Sequence, residues 1–460
     1  MSMFSRLRGN CTAEWSGAMG RVVLSAGARI FVLPLSGVAA ILLARIVSTD
    51  SGESGYAIFT LVAALPFLIP FTDLGLGAAV TNSAAGLPEN YVSFRRVLRS
   101  VTRLLICVSI FLLCVNLAIC LSITWPVLLN LDPALELNLP IFLAMTVFCA
   151  SAPLALGFRI LLGLRHNAAV VVVQGFTSVF TLILVGVSVY LLDDSLGYAV
   201  GLSTSGVFIA NGVLAVVAWR KIIAQAKLVT APRVDHLRSN VVEEKLSMTA
   251  VPMFIISLAL PLVFQTDRLI LSWFSSLTEV AQYSAASLVF LPALSVVQMG
   301  GRSLWGDFAA ARHRGLSSRN LYGKALRLSI VMGLFVAGGF LVVAPAITSF
   351  AVPSASRELT LYGAFAILLF VQAVQQPAGM FLTDGPGLRF QAVTTSISAV
   401  IGLPVSVVLA GDYGAVGVVA GTAGVAALLH VGPCLLFSHR RLKHEGEPSA
   451  ETSRRRKEVV

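Results

Sequence analysis

The sequence predicts an all-α polytopic membrane protein of about twelve transmembrane helices, in two six-helix lobes related by pseudo-twofold symmetry. Three observations predict it. Hydrophobic residues fill 57% of the 460 positions and charged residues only 12%, about half the charge of a soluble domain. Apolar stretches of roughly 20 residues recur along nearly the whole chain, the length a helix needs to cross about 30 Å of hydrocarbon. Lysine and arginine crowd into alternate short loops, the bias that keeps loops in the cytoplasm.

The spans are expected near 22–46, 56–81, 102–124, 139–163, 168–191, 198–219, 249–273, 280–303, 326–350, 359–382, 389–410 and 415–437. The first runs past twenty residues without a cleavage site and is expected to stay in place. Residues 1–20 read as a short interfacial helix with Trp15 at headgroup level. Leu164–Asn167 alone separates spans 4 and 5, which must form a tight antiparallel pair. Arg95, Arg96, Arg99, Arg165, Lys221, Arg312, Arg319 and Lys324 lie in the even-numbered turns, with further basic residues at both termini. The opposite loops hold Asp50, Glu53, Asp132, Asp193, Asp194, Glu279, Glu358 and Asp412. Both termini are therefore expected in the cytoplasm, with the chain in the cytoplasmic (inner) membrane. The formal charge of +11 is a topology signal, so no nucleic-acid partner is expected. Membrane lipids are, and the basic tail is placed to touch anionic ones. The six cysteines lack metal-ligand spacing and read as small packing residues.

The organisation follows: a cytoplasmic N-terminal segment (1–21), an N-lobe (22–219), a cytoplasmic linker (220–246), a C-lobe (247–438) and a basic disordered tail (439–460). The halves echo each other. Arg45-Ile46 precedes Gly55-Tyr56-Ala57, as Asp267-Arg268-Leu269 precedes Gln282-Tyr283-Ser284. Pro66 and Pro292 follow, and Gly197–Gly201 matches Tyr413–Gly417. An even number of spans per half makes these parallel repeats, with a site expected between the lobes.

Ionisable groups inside spans are costly and mark candidate sites. Arg29 and Asp73 fall at similar depths in spans 1 and 2, roughly 10–12 Å from the cytoplasmic edge at about 1.5 Å per residue. They are expected as near neighbours; otherwise Arg29 snorkels to headgroups and Asp73 caps a helix break before Gly75. Asp267 and Arg268 lie near the outer end of span 7, about 100° apart around the helix. Arg302 sits near the inner end of span 8, as a site residue or a positive-inside anchor. Gln372, Gln375 and Gln376 form a polar stripe, suited to an aqueous cavity or to helix–helix bonding. His430 is a lone histidine, better read as packing than as a titrating group. No nucleotide-binding, metal-ligand or acidic glycosyltransferase motif is present, and the outer loops are too short to build an active site. No enzyme activity and no cofactor are expected.

Leu43-Ala44-Arg45-Ile46-Val47, Gly55-Tyr56-Ala57-Ile58-Phe59 and Asp73-Leu74-Gly75-Leu76-Gly77 resemble the first two spans of the lipid-linked oligosaccharide flippases. These form the polysaccharide-transporter branch of the multidrug/oligosaccharidyl-lipid/polysaccharide exporter superfamily. Asp267-Arg268-Leu269-Ile270 with Tyr283-Ser284-Ala285-Ala286, and Asp412–Gly417, are similar to that family's later motifs. Thr81-Asn82 stands where many relatives carry a basic residue. The resemblance implies flipping of a polyprenyl-pyrophosphate-linked oligosaccharide by alternating access, beside polysaccharide-assembly proteins. It implies that Arg29, Arg268 and Arg302 meet the anionic head. Asp73 and Asp267 would orient those arginines or bind a coupling proton or sodium ion. A drug antiporter of the same superfamily, and an integral-membrane enzyme of envelope polysaccharide synthesis, are the alternatives.

Overall fold

The computed structural model describes residues 2–68, 77–85, 87, 91–164, 166–192, 195–226, 252, 255–256, 258–259, 266–313, 317–354 and 358–445. All regular structure among them is helical. The chain divides into two compact units, Met1–His236 and Leu237–Val460.

The first unit holds α1 (Ser2–Ala64), α2 (Gly77–Ala85), α3 (Tyr91–Ser122), α4 (Trp125–Leu128), α5 (Asn138–Leu154), α6 (Leu156–Gly163), α7 (Asn167–Gly175), α8 (Thr177–Leu191), α9 (Ser195–Leu202) and α10 (Ser205–Ala226). The second holds α11 (Asp267–Phe274), α12 (Leu277–His313), α13 (Arg319–Ala351), α14 (Leu359–Phe381), α15 (Gly385–Val425), a π-helical turn (Ala426–Val431) and α16 (Gly432–Glu445). Nine helical segments among the described residues are long and apolar enough to cross a membrane. Two of them, Phe31–Leu68 and Gly385–Lys443, break at one glycine and carry two expected spans each. Only the seventh span is not among the nine. Its segment, 249–273, falls mostly outside the described residues, and α11 holds its C-terminal end.

The two breaks have a backbone cause. Gly52 has φ 72° and ψ −174°, and Gly414 has φ 55° and ψ −138°. Side-chain-bearing residues avoid both regions, at a cost of about 1–3 kcal/mol. After Gly414 the N–H of Ala415 needs an acceptor, and it donates to Glu279 Oε2 at 2.6 Å. A carboxylate at the start of α12 thus caps the last span.

Both units use the same internal neighbours. The third span packs on the fourth (α3 on α5, α13 on α14). The second packs on the third and fourth (α2 on α3 and α6, α12 on α13 and α14). The first lies on the fifth: Ser36 bonds Ser178 at 3.3 Å, and α11 packs on α15. At the seam of α3 with α5 a buried amide is satisfied in place. Buried Asn116 donates to the Phe142 carbonyl at 3.1 Å and accepts from Trp125 Nε1 at 2.9 Å.

Four expectations need correction. Residues 2–20 are not a separate interfacial helix, because α1 runs on from Ser2 and no proline interrupts it before Pro34. The linker expected from 220 begins later, since α10 continues to Ala226. The tail expected from 439 to be disordered is helical to Glu445, held by packing and charge. Leu442 is 4% exposed. Arg441 forks onto Asp384, with Nη1–Oδ1 at 2.8 Å and Nη2–Oδ2 at 2.6 Å. Arg312, from the end of α12, donates to the Phe381 carbonyl at 2.9 Å and the Thr383 hydroxyl at 2.8 Å. It stands 3.7 Å from Asp384. Cysteines 107 and 114 are exposed rather than packed inside.

Burial acts to raise the Asp384 carboxyl pKa, but the Arg441 hydrogen bonds and the Arg441 and Arg312 charges outweigh it and leave the group below its usual range. A lowered carboxylate stabilises the fold above its unfolded pKa, about 3.9, and loses that contribution as pH falls through the folded value. Wild-type protein is therefore expected to lose melting temperature below about pH 4, and Asp384→Asn to flatten part of that acid limb. Asp384→Asn also strands Arg441, at about 1–3 kcal/mol near neutral pH. Superimposable wild-type and variant pH curves in a melting series would contradict this. A Cβ on Gly414 would overlap the Glu279 carboxylate, whereas one on Gly52 meets nothing within 4 Å. Gly414→Ala should therefore destabilise more than Gly52→Ala, by the roughly 0.5–2 kcal/mol of a lost cap. Equal melting temperatures for the two variants would contradict that ordering.

Candidate functional site

The described candidate residues gather where α11 meets α12. Asp267 opens α11 and is 3% exposed. The Tyr283 hydroxyl donates to its Oδ2 at 2.8 Å. Its Oδ1 is buried with no partner among the described residues. Arg268, the next residue, points elsewhere because successive helical residues diverge by about 100°. Its Nε donates to Ser284 Oγ at 3.0 Å, and its guanidinium carbon lies 5.7 Å from the Tyr283 ring centroid.

Tyr283 therefore links acid and base. Its hydroxyl holds the carboxylate and its ring lies within cation–π range of the guanidinium. Asp267 can orient Arg268 through this ring and not through a direct ion pair. Tyr283 is fixed from behind by Phe365, centroids 5.4 Å apart, and Phe365 by Phe290 at 4.9 Å. Ser287 donates to the Tyr283 carbonyl at 2.8 Å. Arg268 is half-buried, and with Nε engaged, Nη1 and Nη2 have no partner among the described residues. Two parallel donors on a fixed plane match a carboxylate or phosphate.

The remaining sequence candidates are not brought into this site. Asp73 lies outside the described residues, as do the side chains of Arg29 and Arg302. The expected Arg29–Asp73 neighbourhood falls there too. Arg302 follows Gly301 on α12, and Gly301 packs so closely on Gln376 that a Cβ there would overlap the amide.

A second polar cluster joins α14, α15 and the π-helical turn. Gln375 Nε2 lies 2.6 Å from His430 Nε2, and Thr394 Oγ1 3.0 Å from His430 Nδ1. The amide donates, so ring Nε2 accepts, and Nδ1–H donates to Thr394. The Thr394 hydroxyl passes on to the Gln391 carbonyl at 3.0 Å. His430 is a neutral, fully partnered link between helices, the packing role its sequence context suggested. Gln376 donates to the Gln372 carbonyl at 3.3 Å. Both are buried, and of the stripe Gln375 makes the bond to another helix.

In the sequence Tyr283 and Ser284 stand only as markers of the repeat. Their signal was the separation of 16 residues from Asp267 and from Arg268, which a short turn folds into contact.

A model of the polysaccharide biosynthesis protein family matches residues 21–304. The fold is similar to an inward-facing multidrug resistance MATE family transporter of the MOP superfamily, at 15% identity and TM-score 0.58, covering 92% of this chain and all of that one. It is similar to an outward-facing MATE transporter at 14% identity and TM-score 0.60, covering 94% and 96%. The lipid II flippase MurJ, in an inward closed conformation, matches at 14% identity and TM-score 0.60, covering 91% and 87%. No curated protein sequence matches significantly.

Tyr283→Phe keeps the ring but removes the only donor to Asp267 among the described residues. It should lower the melting temperature by the equivalent of about 1–3 kcal/mol, while Ser284→Ala, which frees only Arg268 Nε, should cost less. A Tyr283→Phe protein as stable as wild type in detergent would show that the carboxylate does not depend on this hydroxyl.

Proposed function

The chain belongs to the polysaccharide biosynthesis protein family, and from that premise we propose that it is a membrane transporter for lipid-linked oligosaccharide. It flips a polyprenyl-pyrophosphate-linked oligosaccharide from the inner to the outer leaflet of the cytoplasmic membrane, for cell-surface polysaccharide synthesis. The observation that carries the reading is Arg268, held by Ser284 and Tyr283 with two guanidinium nitrogens that have no partner among the described residues. A cation inside a span is expensive, and its binding geometry suits a diphosphate better than an amine.

In this reading Arg29 and Arg302 meet the anionic head at other stages of transit. Asp73 and Asp267 set the arginines or take a coupling proton or sodium ion. Alternating access moves the head while the polyprenyl tail stays in the bilayer. Both termini lie in the cytoplasm, where the loop arginines place them. Polysaccharide-assembly proteins are the expected partners.

The drug-antiporter reading has one observation in its favour: the buried Asp267 carboxylate bonded to Tyr283, whose ring packs on Phe365. That is an acid with aromatic neighbours, suited to a cationic guest. Proteoliposomes separate the two readings. The flippase moves a lipid-linked sugar to the outer leaflet, and the antiporter moves an amphipathic cation against a proton or sodium gradient.

Arg268→Ala should reduce polymer export on the order of 10- to 100-fold with the protein still in the membrane, the worth of one charge-assisted contact. Arg29→Ala should also reduce it. Full export by both variants would reject their assigned role.

A further inference from the structure

The N-terminus of α13 and the C-terminus of α16 flank an open cavity of about 700 Å³, at the end the loop charges predict to be cytoplasmic. Arg319, Lys324, Arg327, His439 and Lys443 line it, with Leu326 and Leu442 as its apolar lining. Four of these five side chains are cationic at neutral pH. None has a carboxylate within ion-pairing distance among the described residues. The nearby Asp384 is already taken by Arg441 and Arg312. Among the described residues the cavity gathers positive charge with no paired carboxylate, a field that favours an anionic ligand.

The surface next to it says what kind. On α13 the positions 319, 323 and 327 share a face by their spacing of four, and that face continues through Val331, Leu334 and Phe335. These three are 63%, 60% and 81% exposed. On α16 and the π-helical turn, Lys443 and His439 lead into Leu436 and Leu428, 63% and 75% exposed. Both helices thus place a cationic cavity at the head of a bare apolar stripe inside a membrane span. A soluble anion would use the first feature and leave the second without a role.

We propose that this cavity binds the phosphate headgroup of an anionic phospholipid of the inner leaflet, whose acyl chains lie along those stripes. Basic pockets at the cytoplasmic ends of transmembrane helices are suited to such headgroups. The site lies within the second unit, away from Arg268 and Asp267, and does not depend on the cargo.

The test uses the full-length protein in neutral detergent, titrated with phosphatidylglycerol or phosphatidylcholine and read by melting temperature and native mass spectrometry. Wild type is expected to bind phosphatidylglycerol, to bind phosphatidylcholine far more weakly, and to lose the preference in high salt. Lys324→Gln with Arg327→Gln is expected to weaken phosphatidylglycerol binding on the order of 30-fold, from the loss of two surface cations. Arg95→Gln with Arg96→Gln removes the same charge elsewhere and should change little. Equal losses in the two double variants would overturn the proposal, because the attraction would then be one of net charge. So would equal stabilisation by inorganic phosphate alone, or lipid binding indifferent to headgroup charge and salt. The wild-type lipid and salt comparisons stand even if a variant folds poorly.

Discussion

Hydrocarbon offers the backbone no hydrogen bonds, and every other feature of this protein is arranged around that fact. A chain that crosses it must close each N–H and C=O on itself. It can turn only where a residue tolerates the geometry and a nearby group takes over the freed bonds. Gly414 shows both conditions. The glycine supplies the positive φ, and Glu279 receives the Ala415 N–H that no preceding turn can satisfy. The cap lies on a different span, so the bond that ends one helix and starts the next also fastens them to α12. The π-helical turn at Ala426–Val431 is a milder departure. It widens the helix by one residue and presents His430 to Gln375 and Thr394.

The same accounting governs the side chains. Asn116, His430 and the Asp384–Arg441–Arg312 group all close their hydrogen bonds with protein. Against that background Asp267 and Arg268 differ. Among the described residues each is held at one atom and has no partner at another, Oδ1 on the acid and the terminal nitrogens on the base. A half-satisfied ionic group is expensive in low dielectric. Its persistence beside a rigid aromatic support makes chemistry a better explanation than packing.

The fold was legible because its causes are local. Hydrophobic length, loop charge and the outer-turn glycines are each written in a few consecutive residues, and they suffice for spans, order and a twofold repeat. The tail shows the limit. Ser438 to Glu445 reads as polar and aperiodic, yet Leu442 and Ser438 are buried. The helix is held by Arg441 reaching Asp384, 57 residues away in sequence. Nothing near Arg441 announces that partner. The site was legible in the same degree. The costly ions could be picked out from span positions, but Tyr283 as the link between them depends on the fold of the turn that brings α12 back onto α11.

The repeat sharpens the meaning of that link. Tyr56 in the first unit is buried like Tyr283 in the second, and the two share the motif that marks the halves. Sixteen residues before Tyr283 stands Asp267; sixteen before Tyr56 stands Ala40. Arg45 precedes Tyr56 by 11 residues and Arg268 precedes Tyr283 by 15, a difference of about one helical turn. The two arginines therefore do not occupy equivalent positions. What the halves share is the buried tyrosine; the turns before it differ, Gly52 having φ 72° and Ser275 φ −138°. The acid and its adjacent base belong to the second unit alone. A packing requirement common to both repeats would have placed an acid in each, so packing of the shared tyrosine does not by itself account for Asp267.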